Sequence, residues 1–257
     1  IVVSPRDGQT VDGLRQAADL ALYQAKEMGR GKISFFSADL DEAAADRRSI
    51  ESELRKAIDS RRIEVAYQPV VSTSTGRISS CEALARWTHP DRGPIGPDVF
   101  ISIAEECGLI GELGAQVLES ACTTATMWRE DIRVAVNLSP MQFENPGLVG
   151  QISDILEKTG LAPNRLQLEV TEGLVIRDVE NTFRLLAELR ALGIQILMDD
   201  FGVGYSALSY LERFPFDKVK IDRSFIDKIS TSPAARAVIE AVVGLGKALG
   251  MGIVAEG

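Results

Sequence analysis

Apolar positions recur along this chain with two different periods, and the change of period divides it. In residues 1–38, Leu14, Ala17, Ala18, Ala21, Leu22 and Ala25 follow the spacing of a helix face, Gly29 is a stop signal, and Lys32–Phe36 (KISFF) reads as a strand. Residues 39–62 are charge-rich, and Ile50, Leu54, Ala57 and Ile58 make a narrow apolar stripe, which predicts a connecting helix with a mostly solvated surface. From residue 63 the texture becomes strand and helix in alternation. Strand-like runs fall at 64–71, 78–85, 132–138, 166–171, 194–199, 217–222 and 252–256. Amphipathic helices lie between most of them. Leu113, Val117, Leu118, Ala121 and Ala125 mark the first stripe, and Leu148, Ile152, Ile155 and Leu156 the second. Val179, Phe183, Leu186 and Leu189 mark a third, and Val238, Ala241, Val242, Leu245 and Leu249 a fourth. Such alternation implies parallel pairing, hence an α/β barrel or a doubly wound sheet. The first two runs are joined only by Ser72–Arg77, too short for a crossover helix, so they pair antiparallel.

Polar residues interrupt these runs at consistent places. Asn137 follows Arg133–Val136, Glu169 sits within 166–171, Asp199 and Asp200 end the 194–199 run, Lys220 and Asp222 close 217–222, and Glu256 ends the last run. Strand alternation puts Asn137 and Glu169 on the face opposite their large apolar neighbours. In a parallel α/β fold the carboxyl ends of the strands form the open mouth, so these groups converge there. A single carboxylate at a strand end is more often a helix cap; the series carries the inference. Two carboxylates about 4 Å apart repel by roughly 4 kcal/mol at an effective dielectric near 20, so such a mouth holds protons or cations. Oxygen donors with one amide carbonyl suit Mg²⁺ or Mn²⁺ rather than zinc. Two cations sharing a carboxylate, with Asp199–Asp200 as the bridging element, is the arrangement that stabilises attacking and leaving oxygens in phosphodiester cleavage.

Composition narrows the class further. The chain has 257 residues, 45% hydrophobic and 25% charged, which are globular averages and exclude wholesale disorder. No apolar run approaches the roughly 18–20 residues of a membrane span, so no membrane contact is expected from this segment. A net charge of −9 excludes long nucleic acid bound through a general basic field. It still permits an anionic small ligand if cations stand between. Cys81, Cys107 and Cys122 lack CxxC spacing and read as reduced thiols of a cytoplasmic protein. His89 is the one histidine and reads as a loop residue. Trp87 and Trp128 read as packing residues. Asp200-Phe201-Gly202 matches a kinase magnesium motif, but the glycine-rich and His-Arg-Asp loops of kinases are missing.

Several motifs then agree with one family. Residues 82–86 read Glu-Ala-Leu-Ala-Arg; VNLSPMQF (136–143), LEVTE (168–172), MDDFGVGYSALSYL (198–211), KIDRSFI (220–226) and VAEG (254–257) follow in order. Residues 61–257 resemble the EAL family of cyclic-di-GMP phosphodiesterases. The resemblance implies a modified TIM (β/α)8 barrel with an antiparallel first strand. It implies one metal, Mg²⁺ or Mn²⁺, held by Glu82, Asn137, Glu169 and Asp199, and a second held by Asp199 and Asp200 with Glu256 as ligand or as base acting on water. Lys220 would orient the water or offset charge on the phosphate. Gln68 and Arg86 would bind substrate, Arg86 through its planar donor fork. Glu172 would brace the loop after Asp200. The implied reaction opens cyclic-di-GMP to linear pGpG, and the implied assembly is a homodimer. A non-hydrolysing cyclic-di-GMP receptor and a hydrolase of other dinucleotides are the alternatives.

The amino-terminal ADLALYQAKEMGRGK (18–32) resembles the end of a GGDEF diguanylate cyclase domain whose signature is not in this chain. The expected organisation is therefore a GGDEF remnant at 1–38, a helical linker at 39–62 and an EAL domain at 63–257 that lacks its last strand and helix. Val203 and Ala207 depart from the threonine and serine usual in the family's loop, each removing a hydroxyl.

Overall fold

A computed structural model describes residues 1–27, 32–202, 211 and 213–256, and the chain divides into compact units at Ile1–Asp59 and Ser60–Gly257. The first unit contains α1 (Val11–Glu27) and α2 (Ala38–Asp59), which pack on each other. The expected α2 stripe of Ile50, Leu54, Ala57 and Ile58 is buried. On α1, Ala17 and Ala21 are buried while Ala18 and Leu22 face outward, so its apolar face is narrower than the sequence suggests. Lys32–Phe36 is not a strand. Among the described residues, the main-chain groups of Ser34 and Phe36 bond only to Ile1, too little for a ladder, and Ile33 and Phe35 are exposed.

In the second unit the strands are β1 (Glu64–Val71), β2 (Ile78–His89), β3 (Gly93–Ile95), β4 (Arg133–Asn137), β5 (Leu166–Thr171), β6 (Gln195–Phe201), β7 (Lys218–Ile221) and β8 (Gly252–Ala255). Their order is β1-β2-β4-β5-β6-β7-β8, with β3 paired to the end of β2. β1 is antiparallel to β2, and every later neighbour in the main path is parallel. Together they make the curled α/β sheet of a TIM-like half-barrel. β2 runs past its expected end because Trp87, Thr88 and His89 pair with β3, and Gly93 makes the intervening turn at φ +72.

The helices are α3 (Pro97–Glu106), α4 (Ile110–Thr126), α5 (Leu148–Thr159), α6 (Glu172–Arg177), α7 (Val179–Ala191), α8 (Arg223–Ile226) and α9 (Pro233–Leu249). Alternation on the strands sets the two layers. Val134 and Val136 of β4 and Leu166, Leu168 and Val170 of β5 are buried on the helix side. Asn137, Gln167 and Glu169 take the other face. Inside, the buried Gln167 donates its amide to Gln195 Oε1 at 2.7 Å. The α4 and α5 stripes are buried as the pattern requires, whereas Ala241 and Leu249 of α9 are exposed and Ala235, Val242 and Gly246 form its buried side. Trp87 packs edge-on to Phe100, and Trp128 edge-on to Tyr67, in accord with packing roles. His89 ends β2, buried, and its Nδ1 accepts the main-chain N–H groups of Asp91 and Arg92; it is a strand-end residue rather than a loop residue. The three cysteines are free. Among the described residues, no helix is long and apolar enough to cross a membrane.

Candidate active site

A regular strand would send Asp199 and Asp200 to opposite faces. β6 avoids this with a bulge: Met198 pairs with Val219 but Phe201 with Ile221, so three residues of β6 span two of β7. Asp200 takes a positive φ of +54, a conformation Asp tolerates better than most side chains, and its N–H donates to Asp199 Oδ1 at 2.9 Å. The irregularity turns both carboxylates to the mouth. There, ligand atoms of Asp199, Asp200 and Glu256 lie within 4.8 Å of one another.

Lys220 is the hub of the site. From β7 its Nζ reaches Glu169 Oε2 at 2.7 Å, Glu256 Oε1 at 2.7 Å, Asp199 Oδ2 at 3.1 Å and Glu82 Oε2 at 3.2 Å. Those four carboxylates come from β5, the end of β8, β6 and β2. Asn137 at the end of β4 joins by donating Nδ2 to Glu82 Oε1 at 2.8 Å. One ammonium with three N–H groups thus serves four acceptors while only 3% of its side chain is exposed.

The electrostatics follow from this crowding. Burial pushes Glu169 up to about 8, with Lys220 opposing the rise and Glu82 and Asp199 adding to it. Burial likewise raises Asp200, helped by Asp199 and Asp222, and raises Glu256 against the pull of Lys220. For Lys220, burial alone favours the neutral amine, but Glu169, Asp199 and Glu82 outweigh it and hold the charged form above its usual range. Oxygen donors arranged this closely fit a hard divalent cation, and no histidine or cysteine belongs to the cluster.

Strand register carries the two remaining residues to the same face. Gln68 stands directly across β1–β2 from Glu82, and Arg86, opposite Glu64, lies four residues further toward the rim. Arg86 is exposed there, its guanidinium spending one N–H on Ala85 O. Asp222 is not part of the cluster: its carboxylate caps α8 by accepting from Ser224 N. Glu172 opens α6 and is buried. The loop it is expected to brace, with Val203 and Ala207, lies outside the described residues.

Sequence reading missed the support beneath Asn137. Ser139 caps the 3₁₀ turn Pro140–Glu144 in a capping box with Gln142: Ser139 N donates to Gln142 Oε1 at 3.0 Å, and Ser139 Oγ accepts from Met141 N. Ser139 Oγ also donates to Glu105 Oε1 of α3 at 2.6 Å. Gln142 is buried against Gly114 of α4, where a Cβ would sit 2.4 Å from Gln142 Nε2. The S-x-x-Q spacing and a glycine inside a helix are legible signals of this arrangement.

Residues 51–257 match the family described as EAL domain. An uncharacterized signaling protein of Caulobacter vibrioides is 47% identical over 253 residues, 98% of this chain and 31% of that protein. The bifunctional diguanylate cyclase/cyclic di-GMP phosphodiesterase MucR of Pseudomonas aeruginosa is 40% identical over 261 residues, all of this chain and 38% of its own length. A solved structure of the PaMucR phosphodiesterase in complex with c-di-GMP superposes with a TM-score of 0.78 at 41% identity, covering 81% of this chain and 86% of that one. The chain spans about a third of the length of these curated relatives.

Proposed function

The chain belongs to the EAL domain family, and from that membership we propose that it hydrolyses cyclic-di-GMP to linear pGpG with Mg²⁺ or Mn²⁺. The observation that carries this reading is the convergence of Glu82, Glu169, Asp199 and Glu256 on Lys220, with Asp200 alongside. Glu82, Asn137, Glu169 and Asp199 would hold one cation, and Asp199 and Asp200 a second, with Glu256 as ligand or as base acting on water. Cations bound there supply Lewis-acid polarisation of a phosphoryl oxygen and offset the charge of substrate and carboxylates.

The remaining work falls to side chains. Arg86 at the rim and Gln68 one level below bind the substrate, Arg86 through a phosphate. Water adds to phosphorus as the bond to the 3′ oxygen breaks, leaving the phosphate on the 5′ oxygen. Glu256, where it serves as base rather than ligand, takes the proton of the attacking water, and a proton passes to the leaving 3′ oxygen, which departs as a hydroxyl. Lys220 keeps its charge and counters negative charge growing on the phosphate.

Incubation with cyclic-di-GMP and Mn²⁺ or Mg²⁺, followed by chromatography, tests the reading. Release of pGpG that Glu82→Ala abolishes is the expected result. Tight binding without turnover would make the chain a receptor, and preference for other dinucleotides in competition would redirect the substrate. Residues 18–32, together with alignment of the whole chain to a bifunctional cyclase/phosphodiesterase, support a GGDEF origin for residues 1–38. Free thiols support a cytoplasmic setting. The family resemblance supports a homodimer, for which sedimentation is the measurement.

A further inference from the structure

We propose that Glu105 of α3 is a positioning residue that sets Asn137 for its place in the site, acting through the Ser139 hydroxyl. The proposal rests on the metal-dependent reading above and extends it to a residue outside the ligand set. Ser139 lies two residues beyond Asn137, and three restraints meet on it. Its N–H is held by Gln142 Oε1, its Oγ accepts from Met141 N, and that same Oγ donates to Glu105 Oε1 at 2.6 Å. Between Asn137 and Ser139, Leu138 N donates to Glu169 O at 2.9 Å, which ties the intervening residue to β5.

The first two restraints are made within the turn, which also packs on α4 where Gln142 lies against Gly114. Glu105 alone among them comes from a distant element, 34 residues away, and ties the turn to α3. Its carboxylate is half-buried, and Ser139 is its hydrogen-bond partner among the described residues, with no ion pair to a cation there. A hydroxyl-to-carboxylate bond of this length is charge-assisted and directional. It anchors Ser139, two residues past Asn137, to α3 and so restrains the path of the chain as it leaves β4. The amide of Asn137, bonded to Glu82, inherits that direction. Groups that orient ligands in this way commonly change metal affinity by 10- to 100-fold when removed.

The test compares Glu105→Ala with Glu105→Gln, which keeps an acceptor oxygen, in the full chain. Mn²⁺ affinity is read by titration calorimetry, melting temperature in EDTA, and the Asn137 side-chain amide signals in ¹H–¹⁵N spectra. Expected for Glu105→Ala are Mn²⁺ binding at least about tenfold weaker, displaced Asn137 amide signals, and turnover recovered at saturating Mn²⁺. Glu105→Gln should restore affinity and signals to near those of the parent. Unchanged Asn137 signals and affinity in Glu105→Ala would overturn the proposal, as would equal losses in both variants that track melting temperature. Ser139→Ala cuts the same bond from its other end, and the Met141 cap with it, and replaces Glu105→Ala should that variant not fold; unchanged Asn137 signals and affinity in it would likewise overturn the proposal. Absence of Mn²⁺ and Mg²⁺ binding by the parent would refute the metal-dependent reading, while the Asn137 signals would still judge Glu105.

Discussion

Replacing Lys220 with methionine removes one positive charge and almost no volume, so its effect isolates the electrostatics of the site. Four carboxylates lie within 3.2 Å of that ammonium, and Glu169, Asp199 and Glu82 are all wholly or largely buried. Removing one partner of a buried ion pair costs about 3–5 kcal/mol, because the other charge stays buried without compensation. The loss is not four times that figure. Glu169, already pushed up to about 8 with the ammonium beside it, takes up a proton when the ammonium goes. A deficit of about 3–5 kcal/mol corresponds to a fall in melting temperature of roughly 6–20 °C for a domain of this size.

The sign of the pH dependence is fixed by the same reasoning. Carboxylates with raised pKa bind more protons folded than unfolded, so their contribution is present at low pH and is lost as pH rises through the raised value. Lys220→Met raises those pKa values further, so its deficit should be largest above about pH 8 and should close toward about pH 5. Thermal unfolding of both proteins in EDTA across that range is the assay. A deficit independent of pH, or a variant more stable than the parent at pH 8, would refute the reasoning.

Other outcomes follow from single features of the site. In EDTA the parent should itself lose stability as pH rises from about 5 to about 8, and Glu169→Gln, which cannot ionise, should flatten that slope in a thermal-melt series. Gly114→Ala sets two effects against each other: helix propensity favours alanine by about 1 kcal/mol, whereas a Cβ 2.4 Å from buried Gln142 forces overpacking worth about 1–3 kcal/mol and endangers the cap on Ser139. Chemical denaturation should therefore show net destabilisation, and a more stable variant would mean that Gln142 yields freely. Arg86→Ala should raise KM for cyclic-di-GMP about 10-fold or more, the usual loss when a charge-assisted bond worth roughly 1.5–3 kcal/mol is removed, with melting temperature unchanged. Steady-state kinetics and a melt on the same sample check both halves.

Much of the site could be read from alternation alone. Leu166, Leu168 and Val170 face the helices, so Glu169 between them must face inward, and the same logic fixes Asn137. The antiparallel first pair followed from a connection too short for a helix. What alternation could not supply was the bulge. Two consecutive aspartates on a period-2 strand imply opposite faces, and only the positive φ of Asp200 and the slipped pairing with β7 bring them together. Lys32–Phe36 failed for the complementary reason, since strand-like composition needs a neighbouring ladder. β3 was missed because three residues containing a proline carry no period. The Glu105–Ser139 bond joins elements that only the tertiary fold brings together, so no local pattern announces it.

The reversed direction of β1 also determines on which side of the fold the chain enters the sheet. In a barrel whose strands all rise together, the polypeptide joins the first strand at the floor, as far from the chemistry as the architecture allows. Here β1 descends from the rim: Glu64, near its upstream connection, stands opposite Arg86, and Gln68 opposite Glu82 lies below. The chain therefore arrives on the working side of the fold. Following the chain from Ser60, the first pair of the sheet it forms is therefore Glu64 with Arg86, at the rim.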